Sequence, residues 1–269
     1  MDVIFFWIAT TLYALSAVLY LIHFIFDKKW GEKGAAALAA GGIVPHVAAV
    51  AMRWVQAGHG PYITRYEVFS SDALIAVAVF LAAGLLYRKI RVAGAIVMSG
   101  AFLMMGYGAL SVDTKAAAPI TFKSWWLVIH ILFGKVITGA MLIAGALAVF
   151  YLLKSKRPER WPRLPDVASL DDLSYRFLSL GFCALGLMIV AGSIWANSAW
   201  GRYWGWDPIE TWSLISWITV GAILHLRRLH GWRGRRMAWL TIAALLLAIF
   251  TAFLITIVSP GIHSSYMVK

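Results

Sequence analysis

Five of the chain's fourteen tryptophans crowd into one stretch, Trp195-Ala-Asn-Ser-Ala-Trp200-Gly-Arg-Tyr-Trp204-Gly-Trp206-Asp207-Pro208-Ile-Glu210-Thr-Trp212. Arg202 and Tyr203 sit among them, and two glycines let backbone approach a ligand closely. Asp207 is a good N-cap, Pro208 suits the first helical position and Glu210 completes a capping box, so a helix is expected to begin here. Its positive N-terminal end then points into the aromatic patch and favours a bound anion. A flat apolar macrocycle with two carboxylates, such as haem, suits that chemistry: indole faces cover the ring, while the helix end and Arg202 answer the propionates. The other reading is an ordinary aromatic belt at a membrane interface. The density of indoles around glycines and a capped Asp-Pro favours the ligand surface.

A haem iron is held by imidazole, thiolate, thioether or phenolate. Cys183 is the only cysteine, which excludes a disulfide framework, a CxxC pair and a thiolate zinc site within this chain. Imidazole is therefore the donor to look for, and there are seven histidines. His130 lies just inside one end of an apolar run, after Trp125 and Trp126, and His263 follows Ser259-Pro260-Gly261 at the end of another. Both are expected on the same side of a membrane as the Trp stretch, where two imidazoles could ligate one iron from opposite faces. His225, His46 and His23 fall inside apolar runs, where ionisable groups are rare and often functional. A neutral imidazole satisfied by a neighbouring hydroxyl is the commoner alternative for these three. His59 and His230 fall in connections and are expected to be solvated or interfacial.

The elements that must position these groups are apolar. Of the 269 residues, 61% are hydrophobic and only 13% charged, and mean hydropathy is +0.78, which places the chain among membrane proteins. The net charge of +12 does not point to nucleic acid, because the charges lie in short clusters between apolar runs. A span needs about 20 apolar residues and must be helical. Eight runs qualify: 3–26, 35–57, 72–87, 92–110, 125–153, 177–197, 209–226 and 237–258. The third is short and the fifth long. The first begins with no basic segment ahead of it, so it is expected to be a span and not a cleaved leader.

Lysines and arginines alternate across these runs. Segments 27–34, 87–91, 154–176 and 227–236 hold seventeen of the 24, six lie in the other connections and termini, and Lys135 lies within the fifth run. The basic set is expected to face the cytoplasm, which puts both termini and the loops 53–71, 111–124 and 198–208 outside. The fold class expected is all-α: a multi-pass protein of the cell (inner or cytoplasmic) membrane, its functional face outward. Residues 1–269 read as one transmembrane domain containing the Trp-rich loop 195–212. No internal repeat, low-complexity stretch or long linker interrupts it.

The Trp200–Ile215 stretch resembles the tryptophan-rich "WWD" signature of the cytochrome c assembly membrane proteins, in particular the CcsA/ResC branch of the system II cytochrome c synthase. Asp172-Leu-Ser-Tyr-Arg, Gly192-Ser-Ile-Trp-Ala, Leu224-His225-Leu-Arg, Gly261-Ile-His263-Ser and Gly58-His-Gly-Pro61 through Tyr66-Glu67 resemble flanking elements of that family in the right order. The resemblance implies haem b as substrate and ligand, held at an outer site by His130 and His263 as iron ligands. Trp195, Trp200, Arg202, Tyr203, Trp204, Trp206, Asp207 and Trp212 would surround it. It implies an inner haem site using His225, with His46 a further candidate ligand. The partners implied are a CcsB/ResB-like membrane protein, the Cys-x-x-Cys-His motif of an apocytochrome c, the lipid bilayer and, indirectly, a thiol-reducing protein. With no fused CcsB portion, this chain is expected to be one subunit of a holocytochrome c synthase. A haem carrier of the CcmC type and a regulatory protein of the HemX type are the alternatives. The full WWD stretch with its flanking histidines argues against the second.

Overall fold

The computed structural model of the chain describes residues 1–26, 28–112, 118–259 and 261. They form long helices joined by short connections: α1 (Asp2–Phe26), α2 (Lys29–Ala57), α3 (Arg65–Leu86), α4 (Gly94–Ala109), α5 (Trp125–Lys156), α6 (Val167–Trp200), α7 (Pro208–His230) and α8 (Arg235–Ile249). A 3-10 segment, Arg88–Ala93, leads into α4, and α8 runs on through a π-helical turn, Phe250–Leu254, into Ile255–Val258. Among the described residues, eight helical stretches are long and apolar enough to cross a membrane, matching the eight runs expected. The helices gather into two compact units, one spanning Met1–Ala118 and the other running from Pro119 onward.

In the first unit, α1 lies along α2 with Ala9, Ala17, Ala35, Ala39 and Ala49 buried. Small side chains let apolar helices approach closely, the usual packing device inside membranes. Polar groups in this interior are paired: Ser16 donates to the Ala35 carbonyl at 2.8 Å. His46 has no exposure and both its ring nitrogens are engaged, by the Tyr13 hydroxyl at 3.2 Å and the Ser70 hydroxyl at 3.0 Å. This is the hydroxyl-satisfied imidazole of the core; an iron would have to displace one of those bonds.

α3 starts seven residues before the apolar run read from hydropathy. Thr64 caps it, accepting from the Glu67 amide, while the Glu67 carboxylate accepts from the Thr64 and Ile63 amides at 3.2 and 3.1 Å. Glu67 is only 2% exposed and meets Arg53 Nε at 3.4 Å, while Arg53 Nη1 lies 3.7 Å from Asp2. Arg53 was expected in an outer loop; instead it belongs to the last turns of α2 and is buried with its guanidinium near the Tyr66 ring. His59 is corrected likewise. It is buried, its Nδ1 donates to the Gly60 carbonyl at 2.8 Å, and it lies 3.9 Å from Glu67. The connection folds back onto the carboxylate and does not extend into solvent.

In the second unit, α5 and α6 form the main pair, with α8 against α5 and α7 against α6. Gly139, Ala140, Ala144, Gly145 and Ala148 are buried along α5, and the Ser174 hydroxyl donates to the Ala144 carbonyl across the helix pair at 2.9 Å. α6 begins ten residues before its apolar run because Asp166 caps it, accepting from the Ser169 amide at 2.8 Å. Its early charges are paired: Arg176 with Asp172 at 2.7 Å, and Asp171 with Arg227 of α7 at 2.6 Å. Asp171 also accepts from the Gly234 amide ahead of α8, at 2.9 Å, so one carboxylate ties three helices together at this end of the unit.

Candidate functional site: an aromatic cluster around His130

The second unit brings together His130 of α5 and Trp195 and Trp200 of α6. Trp195 is buried, and its indole N–H donates to the Thr121 carbonyl of the 3-10 turn ahead of α5 at 3.0 Å. Three rings surround it: Phe122 at 5.7 Å edge-on, Trp200 at 4.9 Å edge-on, and His130 at 6.5 Å with planes only 25° apart. These separations lie within the range of favourable aromatic pairing.

His130 Nδ1 lies 2.9 Å from the Met188 carbonyl of α6. A carbonyl oxygen only accepts, so Nδ1 carries the proton in this contact. A backbone carbonyl in this role fixes the tautomer and orientation of a metal-ligating imidazole and raises its basicity. The ring reaches Met188 because Gly192 stands where it passes: a β-carbon at Gly192 would lie 2.6 Å from Nδ1.

Beyond Trp200, α6 closes with Gly201 in the left-handed conformation. The capping box at α7 is present as expected: Asp207 accepts from the Ile209 amide at 3.1 Å, and Glu210 accepts from the Asp207 amide at 3.2 Å. Glu210 also accepts from Gly205 at 2.8 Å. The positive helix end expected to draw an anion is thus already answered by two carboxylates of its own chain. Arg202 is the cation that remains, lying across Gly205, where any side chain would collide with its guanidinium.

Trp204 and Trp206 form an edge-on pair at 5.8 Å. Trp206 is 69% exposed and adopts φ 57°, a left-handed backbone that bulky residues rarely occupy. Tyr203 is exposed. Trp212 turns to α8 instead, edge-on to Phe250 at 4.8 Å at the start of the π turn. Gly261 rests against Asp207 and Pro208, close enough that a β-carbon would collide with the carboxylate.

Of the other histidines, His225 is exposed on α7, its ring 5.9 Å from that of His230. His263 lies outside the described residues. Residues that the sequence reading did not single out complete the cluster: Thr121, Phe122 and Met188. Thr121 and Phe122 come from a segment more than 70 residues ahead of the Trp stretch, and Met188, on α6 itself, acts through its backbone carbonyl, which residue type does not signal. Gly192 had been noted only as part of a flanking element.

The profile of the Cytochrome C assembly protein family matches residues 8–263. The chain is 32% identical over 240 residues to the cytochrome c biogenesis protein CcsA of Guillardia theta, covering 79% of this chain and 78% of that protein. It is 28% identical over 316 residues to that of Gloeobacter violaceus, covering 96% and 91%. Among solved structures, the cytochrome c haem lyase CcmF superposes with a TM-score of 0.67 at 17% identity. That match covers 93% of this chain and 46% of the other, and it is a likeness of fold.

Proposed function

Since the chain belongs to the cytochrome c assembly protein family, we propose that it is the haem-handling membrane subunit of a system II cytochrome c synthase. It is a multi-pass membrane protein of cytochrome c biogenesis. In this reading it holds haem b on the Trp-rich face, outside the cell membrane, while a CcsB/ResB-like subunit completes the synthase and an apocytochrome c presents its Cys-x-x-Cys-His motif.

The observation that carries the reading is the His130 environment: Nδ1 held by the Met188 carbonyl, the Trp195 indole stacked beside the ring, and Trp200 edge-on to Trp195. His263 is the second iron ligand proposed. Gly261, two residues earlier in sequence, rests on the Asp207-Pro208 cap of α7. Arg202 is the propionate partner, since the helix end is taken by Asp207 and Glu210. Trp195 backs the imidazole with Trp200 edge-on behind it, Tyr203 and Trp206 offer exposed ring surface, and Trp204 is half-buried beside Trp206.

No side chain here need act as a nucleophile. Each thioether forms when a cysteine S–H adds across one haem vinyl C=C, sulfur to one carbon and hydrogen to the other, so nothing is expelled and no oxidant is consumed. The protein's contribution is position: an iron gripped at its axial sites leaves the vinyl edge to meet the peptide. The apocytochrome histidine then replaces one chain imidazole and frees the product. His225, exposed on α7, is proposed as an inner-site ligand whose partner ligand comes from the second subunit.

The decisive experiment purifies the chain with a ResB-like partner and compares the haem absorbance of the wild type with that of the His130→Ala/His263→Ala double variant. Loss of the outer-site spectrum, with partial return on adding imidazole, is the expected result. An unchanged spectrum would remove both residues as ligands. Scoring covalent haem on a co-expressed apocytochrome separates a synthase from a carrier that only presents haem.

A further inference from the structure

The far end of α5 carries a second feature, unrelated to the aromatic cluster. Leu153, Lys156, Arg157, Arg160 and Trp161 line a cavity of about 370 Å³. The segment after α5 folds back on the helix, because Lys154 Nζ donates to the Trp161 carbonyl at 2.7 Å. The Arg160 guanidinium lies over the Trp161 ring at 5.7 Å. Among the described residues, none of the three cations lining the cavity is paired with a carboxylate. Cations at a helix C-terminus do answer the helix dipole, which accounts for Lys154 and Lys156. Arg157 and Arg160 lie beyond the last turn, and the dipole does not account for their turning onto the same cavity.

The lining has two characters, cationic on one side and apolar through Leu153 and the Trp161 ring. Its depth is set by α5, whose 32 residues reach about 48 Å at 1.5 Å per residue, well beyond the roughly 30 Å hydrocarbon core. Centred on that core, the helix would end about 9 Å beyond it, among the lipid headgroups. Like charges gathered without a counter-ion repel one another, and an anion relieves that repulsion. From this juxtaposition we propose that the cavity binds an anionic membrane phospholipid, its phosphate on Arg157, Arg160 and Lys156 and its upper acyl chain along Leu153 and Trp161. Arginine pairs dock phosphate through two parallel N–H bonds, which gives the site geometry as well as charge.

The test uses the full chain purified in detergent and analysed by native mass spectrometry with added lipid. Phosphatidylglycerol is expected to be retained about tenfold more strongly than phosphatidylcholine of the same acyl chains, and high salt should weaken it. At about fivefold per cation removed, the Lys156→Gln/Arg157→Gln/Arg160→Gln variant should lose about a hundredfold in affinity. These side chains are exposed, so the variant keeps its fold, checked by an unchanged thermal midpoint without lipid. Equal retention of both lipids, or unchanged binding by the triple variant, overturns the proposal. So does displacement of the lipid by millimolar inorganic phosphate, which would assign the site to the free anion. None of these outcomes touches the haem reading.

Discussion

Gly192 and His130 meet so closely that a single methyl on the glycine would stand 2.6 Å from the imidazole Nδ1. The hydrogen bond from that nitrogen to Met188 exists because α6 offers no side chain at this point. Gly192→Ala must therefore push the ring off the Met188 carbonyl or part the two helices. Overpacking of this kind destabilises by about 1–3 kcal/mol. The expected outcome is a fall in haem absorbance in the direction of His130→Ala, with the protein still folded. A Gly192→Ala variant with full absorbance would show that the ring need not be held.

Trp206 separates stability from function in the opposite sense. Its left-handed φ costs a non-glycine residue roughly 1–2 kcal/mol, and its indole is largely exposed. Trp206→Gly should leave the thermal midpoint level or raise it, while haem retention declines. A lower midpoint with unaltered retention would make this indole a packing group.

The Arg53 guanidinium faces Glu67 and Asp2 in a buried setting, its side chain 6% exposed. Removing one partner of a buried pair leaves an uncompensated charge, and Arg53→Ala should cost about 3–5 kcal/mol. Thermal unfolding in detergent measures this. Arg53→Met combined with Glu67→Gln should recover part of the loss; if it recovers none, the cation acts through something other than these carboxylates.

Asp171 joins α6, α7 and the start of α8 through Arg227 and Gly234. Asp171→Asn keeps an acceptor but removes the charge opposite Arg227, so it should destabilise less than Asp171→Ala. Since His225 precedes Arg227 by two residues on α7, both variants should also lower inner-site haem, read as the fraction of absorbance that survives in the His130→Ala background. Equal midpoints for Asn and Ala would show that charge is not what Asp171 contributes.

The spans were legible because a helix in lipid must be apolar along its length, and the α7 cap was legible because a capping box is a local pattern of three residue types. What escaped was non-local. Hydropathy began α3 only at residue 72 and left out Glu67, since it scores a carboxylate as solvated and cannot see that amides and Arg53 satisfy Glu67. The same blindness placed Arg53 and His59 in an open loop. At the site, the types of His130 and Trp195 were readable, but the relation that orients the imidazole runs through a carbonyl 58 residues away. At the α7 end the expected anion meets groups already in place. The residues that made the cap recognisable are themselves the anions that fill it.

The π turn at Phe250–Leu254 sets the phase of everything that follows it. A turn closed one residue wider than an α-helical turn rotates the downstream chain by about 100° relative to an unbroken helix. Ser216 of α7 bonds Thr251 inside that turn at 2.9 Å, locking the rotation to the helix that bears the Asp207 cap. Deleting one residue between 250 and 254 would turn Ile255–Val258 to another azimuth and carry Gly261 off the cap. Reach along the helix axis would be almost unchanged, yet the contact between Gly261 and the α7 cap would be lost.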